Sequence, residues 1–397
     1  MTTLSNIYKN LIQDRIILLF ETFDKDSDYD IIKIMKEIYP YKYICSDKTR
    51  HIWWEFNNHK WKKIDEIHTL SNKLFNEITN LFSFLSAYFI NENSVLSITK
   101  AIKLNKLIYD LQNNNFIDSI IRVFIDECYD EKFEEKLDNN RYLLGFDNGV
   151  YDLQKSIFRQ VYQEDYISLS VGYDYKEFDE NDDLVKEVYK FIEEIQPDKN
   201  MRKHMLNYIT SLLDGYNTKQ EFMFWTSENN NNINGRLTMI ELIQHTLGNN
   251  YFEILPSTIF TKKRKSRSSV NLEITDIKRK RFYILQEQET GDKLTLKLFN
   301  KLINQNIIKV KSPYINNIEF IPQFNLCYLC KKIPKVSSND NSLWKKISIV
   351  AFEQQFVDLP DPKKPYQHPI DIELKNKLPT WKQPFMWILL NNYDEYF

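Results

Sequence analysis

Two carboxylates at the end of an apolar run are the first residues in this sequence with chemistry to offer. Glu287 and Glu289 follow Phe282 to Leu285, a run apolar enough to be a buried strand. Carboxylates at a strand terminus can hold magnesium through water and orient an attacking water. Lys309, Lys311 and Tyr314 lie in Ile307 to Phe320, which reads as a hairpin. Basic and aromatic side chains there can grip phosphates and stack bases, or can simply face solvent. Cys327 and Cys330 are spaced as CxxC, but they fall inside another apolar run and no second pair completes a zinc site, so they are expected in the core. The six histidines show no metal spacing, and no Ser-His-Asp or Cys-His set is suggested. Trp53, Trp54, Phe56 and Trp61 could stack on bases, yet aromatic hairpins of small domains more often build a core, and that is the expectation here. The basic clusters Lys262, Lys263, Arg264, Lys265, Arg267 and Lys278 to Arg281 read, taken alone, as solvated loops.

The elements that must position these residues follow from periodicity. Tyr29 to Ile38 reads as a helix, and Tyr41 to Ser46, His51 to Phe56 and Trp61 to Ile64 as short aromatic strands separated by the turns Ser46-Asp47 and Asn57-Asn58. Helical spacing runs from Leu70 to Leu137 with breaks near Asn91 to Asn93 and Asn113 to Asn115, which makes a small α+β domain. Tyr142 to Tyr151 is extended around the tight turn Asp147-Asn148-Gly149. The acidic stretch Lys176 to Asp183 is the candidate linker before the helices Leu184 to Ile195 and Lys203 to Leu213. From Glu221 the pattern alternates buried strands with helices, as a mostly parallel sheet requires. Strands are expected at Phe222 to Thr226, Phe282 to Leu285, Phe324 to Cys330 and Ile347 to Phe352, with helices at Met239 to Thr246 and Leu294 to Ile303.

Composition narrows the classes. The 397 residues can bury ordinary cores without staples, and a formal charge of -2 argues against a face that coats duplex DNA uniformly. Four scattered cysteines do not make a disulfide framework and fit a reducing compartment. With no apolar run of membrane-spanning length and no charged-then-apolar leader over Met1 to Arg15, a soluble protein kept inside a cell is expected.

An ordered set of segments carries more than any one of them: FMFWT at 222 to 226, NGRLT at 234 to 238, RFYILQEQETGDKL at 281 to 294, FNLCYLCKKIPKV at 324 to 336 and SSNDNSLWKKISIVAFEQQFVD at 337 to 358. Upstream stand ICSDKTRHIWWEFNNHKWKKID and YLLGFDNGVYDL. In this order the chain resembles the superfamily 3 helicase module of the primase-helicases of nucleocytoplasmic large DNA viruses, of the poxvirus and mimivirus type. The resemblance begins near Asp28, so no primase domain is expected before it. It implies an α+β N-terminal domain over residues 28–175, an α/β P-loop ATPase domain of the AAA+ kind over 184–358, and a helical tail over 359–397.

The resemblance also distributes roles. Asn234, Gly235, Arg236, Leu237, Thr238 and Lys331 would bind nucleotide; Glu287, Glu289 and Lys346 would be catalytic; Thr238 and Glu287 would hold magnesium; Lys309, Lys311 and Tyr314 would hold DNA. ATP and Mg²⁺ would be the cofactors. Single-stranded DNA, further copies of the chain in a hexamer, and an active primase-helicase paralogue would be the partners, with no membrane involved. The setting would be an infected cell's cytoplasmic replication compartment or the virion.

Five catalytic positions depart from the family pattern. Asn replaces Gly in the loop Ser227 to Ile233, Arg236 stands for the P-loop lysine, Leu237 for the metal-binding hydroxyl, Lys331 for an asparagine that senses the γ-phosphate, and Lys345-Lys346 after Trp344 for paired arginines. Asp340 keeps its place, while Asn304-Gln305-Asn306 replaces the family's Gly-Gly-Asp before the hairpin. The expectation is a replication helicase with weakened or lost ATP hydrolysis. The alternatives are a catalytically inactive relative that binds DNA, and a structural or virion protein.

Overall fold

The computed structural model describes residues 28–57, 59–64, 67–215, 217, 220–227, 235–256, 280–286, 308–310, 318–320, 324–333 and 345–396; for 28, 67–69, 256, 308–310, 318–320 and 394–396 it describes the backbone alone. The chain divides into two compact units, Met1–Asn139 and Asn140–Phe397.

In the first unit, helix α1 (Asp28–Ile38) precedes an antiparallel meander of β1 (Tyr43–Asp47), β2 (Ile52–Asn57) and β3 (Lys60–Ile64). Helices α2 (Ile67–Asn91), α3 (Val95–Asp110), α4 (Asn114–Glu127) and the short α5 (Phe133–Lys136) follow. Ser94 and Asn113 cap α3 and α4 by accepting hydrogen bonds from the amides of Ser97 and Asn115, each at 3.0 Å, which explains why the helical pattern breaks at those polar residues. Successive strand residues face opposite sides of a sheet, so Trp53 and Trp54 need two covers. Trp53 stacks on Phe124 of α4 at 5.5 Å, while Trp54 and Trp61 pack on Phe133 of α5 at 5.9 and 4.8 Å. All three indoles are buried, and the aromatic hairpin is core, as its residue types suggest.

In the second unit, the meander β4 (Leu143–Gly145), β5 (Val150–Asp152) and β6 (Ile157–Arg159) leads to α6 (Asp183–Ile195) and α7 (Lys199–Ser211), capped by the carboxylates of Asp182 and Asp198. Then come β7 (Phe222–Thr226), α8 (Arg236–Tyr251), β8 (Phe252–Pro256), β9 (Phe282–Gln286), the antiparallel pair β10 (Ile308–Val310) and β11 (Ile318–Phe320), β12 (Asn325–Cys330) and β13 (Ile347–Ala351). The small parallel pair β14 (Gln355–Val357) and β15 (Gln367–Pro369) precedes the C-terminal helix α9 (Leu374–Tyr396). The main sheet has the order β13-β7-β12-β9-β8, every pairing parallel. Its first strand lies between its last two, so the chain leaves β7, crosses to the far edge and winds back.

Three features differ from the sequence expectation. Strand β8 was not anticipated; the turn into it comes from Gly248 at φ +67°, where a Cβ would lie 2.2 Å from the Val171 carbonyl oxygen. The unit boundary falls at Asn139 and not near 175, because Leu144, Phe146, Tyr151 and Leu153 join one core with Phe191, Ile192 and Met223. The C-terminal helix is no separate tail: Leu378, Trp381, Phe385 and Ile388 are buried in that core, packed against α6, α7 and α8.

Candidate functional site

Parallel pairing puts the carboxyl ends of the strands on one edge, and in open parallel sheets ligands bind outside that edge where the strand order reverses. Thr226 of β7 stands beside Cys330 of β12 and Ala351 of β13, with Leu329 beside Gln286 of β9. The edge is closed on one side by Phe352, whose amide donates to the Thr226 carbonyl at 2.9 Å, and by Gln196, whose amide nitrogen donates to the Ala351 carbonyl at 2.8 Å. From β7 the chain passes Ser227 and returns at Gly235, the N-cap of α8. Gly235 has φ +73°, and a Cβ there would meet Ile195 Cγ2 at 2.2 Å, so glycine is required on both counts. Its cap supplies no side-chain hydrogen bond, and the first-turn amides of a helix have no acceptor within the helix, which makes that end receptive to anions.

Arg236, the first residue of α8, does not face outward. It is buried, and its Nη1 donates to the Trp225 carbonyl at 3.1 Å and to the Cys330 carbonyl at 2.7 Å. The guanidinium thus joins the carboxyl ends of β7 and β12. Beneath it Cys327 is buried, and burial holds its thiol well above the ordinary 9.0, although Arg236 pulls in the opposite direction. Leu237 is exposed and Thr238 half-buried on the same helical turn. Lys331 leaves β12 directly after Cys330 and is exposed at this edge.

Lys346 sits at the other end of the sheet. Its carbonyl accepts from the Phe222 amide at 2.7 Å, where β7 begins, and its Nζ donates to Gln220 Oε1 at 3.2 Å. A five-residue strand spans about 16 Å, so within one chain Lys346 is remote from Arg236. Glu287 and Glu289 lie outside the described residues, the first following Gln286 at the carboxyl end of β9. Asn234, Lys311 and Tyr314 are also outside them, as are the basic cluster 262–267 and the expected helix at 294–303. Lys309 is in β10, within the antiparallel pair that realises the expected hairpin. The structure therefore brings Gly235, Arg236, Leu237, Thr238 and Lys331 together and separates Lys346 from them.

Other residues at the sheet ends carry no local signal. Gln196 is 155 positions from the strand end that it fixes. Arg281, buried before β9 at the amino edge, donates to the Leu143 carbonyl and lies over the Tyr251 ring at 4.9 Å. His204 Nε2 and Ser348 Oγ are 2.6 Å apart, tying α7 to β13. Cys327 and Cys330 are buried along β12, and among the described residues no His, Cys, Asp and Glu group could hold a metal.

A family model described as D5 N terminal like matches residues 33–199. Over those residues the chain is similar to D5 N-terminal-like domains. The match spans both compact units and stops before β7. A provisionally named helicase of Acanthamoeba polyphaga mimivirus is 32% identical over 385 residues, covering 93% of this chain and 40% of that protein. A provisionally named helicase of Invertebrate iridescent virus 3 is 23% identical, covering 83% and 38%. A provisionally named primase of African swine fever virus is 18% identical, covering 85% and 37%. The chain spans about two fifths of the length of these viral relatives. Among solved structures, the NrS-1 C terminal region is similar at a TM-score of 0.40 with 9% identity, covering 55% of this chain and 47% of that one, a likeness too slight to carry an argument. Among the described residues no helix is long and apolar enough to cross a membrane.

Proposed function

We propose that this chain is a helicase-like protein of viral DNA replication that keeps a nucleotide-binding frame and has weakened or lost ATP hydrolysis. The observation that carries the reading is Arg236. The residue standing where a phosphate-gripping lysine belongs is buried and bonded to two strand ends. Leu237, next to it, offers no hydroxyl to magnesium, whereas in related phosphoryl transfer the metal and the cations supply most of the transition-state stabilisation. What remains at the carboxyl edge is the amino end of α8, Thr238 and Lys331; the carboxylates Glu287 and Glu289 follow β9 in sequence. ATP with Mg²⁺ is the ligand such a set would take, bound more firmly than it is turned over. Lys346 is too far to assist within its own chain and could act only on a neighbouring copy's nucleotide, as an oligomeric ring would allow.

Lys309, Lys311 and Tyr314 are the contacts proposed for single-stranded DNA. Binding of labelled single-stranded DNA over a salt series, with and without MgATP, tests the reading. The expected result is salt-sensitive binding that Lys309→Glu with Lys311→Glu weakens and makes less salt-dependent, without strand displacement on adding MgATP. Strand displacement driven by MgATP would restore an active helicase. Failure to bind any nucleic acid at low salt, with a monomeric mass, would favour a structural role for the scaffold.

A further inference from the structure

Resting on the nucleotide-site reading above, we infer that Arg236 is a positioning residue, and that the cation that meets the ligand's phosphates at this edge is Lys331. Arg236 bridges carbonyls of two adjacent strands with one nitrogen, at 3.1 Å from Trp225 and 2.7 Å from Cys330. These strands are paired with Thr226 opposite Cys330, so the guanidinium extends the ladder by one rung where the backbone ladder ends. Swinging out to an anion above α8 would strip both carbonyls of this donor. Buried carbonyls that lose a donor are costly, and the exposed edge offers no gain large enough to offset two such losses.

The clamp has a consequence for what leaves the two strands. Ser227, which starts the loop toward Gly235, follows one clamped strand, and Lys331 follows the carbonyl that Arg236 holds on the other. Ser227 is buried and Lys331 is exposed. Fixing Cys330 therefore fixes the origin of the Lys331 side chain relative to the amino end of α8. An ammonium on a flexible stem suits an anion of variable position, while the planar fork of Arg suits the two fixed carbonyls. The residue types at 236 and 331 are thus exchanged relative to a site in which the helix-start cation grips phosphate.

The test uses the full chain and inorganic tripolyphosphate, with and without magnesium, in a titration over a salt series, together with the melting midpoint and amide exchange of peptides covering 222–227 and 325–331. The expected result has three parts. Lys331→Gln weakens binding about tenfold, flattens its salt dependence and leaves the midpoint unchanged. Arg236→Gln lowers the midpoint and speeds exchange at both strand ends, weakens binding by less than about threefold and keeps the salt dependence. Arg236→Lys behaves as Arg236→Gln in exchange, which keeps the assignment testable should the glutamine variant fold poorly. Tenfold or greater loss of binding in Arg236→Gln, with a flattened salt dependence and unchanged exchange, overturns this assignment while leaving the nucleotide site standing. No tripolyphosphate binding by the unaltered chain overturns the nucleotide-site reading, and this assignment with it.

Discussion

The two ends of the parallel sheet hold buried arginines in like settings, and the likeness is instructive. At the amino edge Arg281 donates to the Leu143 carbonyl and lies over the ring of Tyr251, tying β4 to the main sheet. At the carboxyl edge Arg236 donates to the carbonyls of Trp225 and Cys330. Nothing beyond architecture is asked of the amino edge, whereas the carboxyl edge is where an open parallel sheet takes its ligand. At that edge the guanidinium serves the two strands, and on the proposed reading it is not free to meet a phosphate.

The comparison can be broken by substitution. Arg236→Met and Arg281→Met are each expected to cost about 3 kcal/mol, since buried carbonyls lose a donor, and to lower Tm by roughly 5–10 °C in thermal unfolding. A change confined to one variant would mean that the two arginines do different jobs. Gly235→Ala comes next, at about 2 kcal/mol, from a left-handed φ and a Cβ placed against Ile195, read in the same melts. Leu237→Thr should change stability by less than about 0.5 kcal/mol, because the side chain is exposed, while raising affinity for MgATP in calorimetry. An unchanged affinity would place the metal elsewhere.

The smallest effect is a pH dependence. Cys327 has a folded pKa above its ordinary value because of burial, so in alkali the unfolded chain loses a proton that the folded chain keeps. Its contribution is complete below about pH 9 and declines above it, which denaturant midpoints between pH 8 and 10 would register. The first unit offers the opposite sign. Glu55 is raised by burial but brought below its ordinary value by hydrogen bonding to Lys73 and by the charges of Lys73 and Lys42, so its contribution is present near neutrality and lost in acid.

How much of this was legible in sequence depends on whether a contact is local. Phe222–Thr226, Phe282–Gln286 and Asn325–Cys330 were readable as buried strands because both faces of a parallel sheet demand continuous apolar runs, while Ile347–Ala351, expected among them, is a strand at the sheet edge with only Val350 buried. The aromatic meander and the helix breaks near Asn91 to Asn93 and Asn113 to Asn115 were readable from residue type and turn signals, whereas the capping side chains of Ser94 and Asn113 were seen only in the structure. Strand order was not, since the return of β13 beside β7 joins residues more than a hundred positions apart. Nor was the direction of the Arg236 side chain: its type pointed to a phosphate, and only the proximity of two strand ends turns it inward. The fate of Lys346 was hidden in the same way, because the sheet register places it at the amino edge.

The most direct test is the steady-state rate of ATP hydrolysis by the unaltered chain, with magnesium and saturating single-stranded DNA, beside Glu287→Gln. The structure's account predicts a rate below about 0.01 s⁻¹ that Glu287→Gln does not change, far under the roughly 10 s⁻¹ of a typical enzyme. Turnover near 1 s⁻¹ that Glu287→Gln abolishes would mean that the carboxyl edge rebuilds a working site around a clamped arginine, and would contradict it.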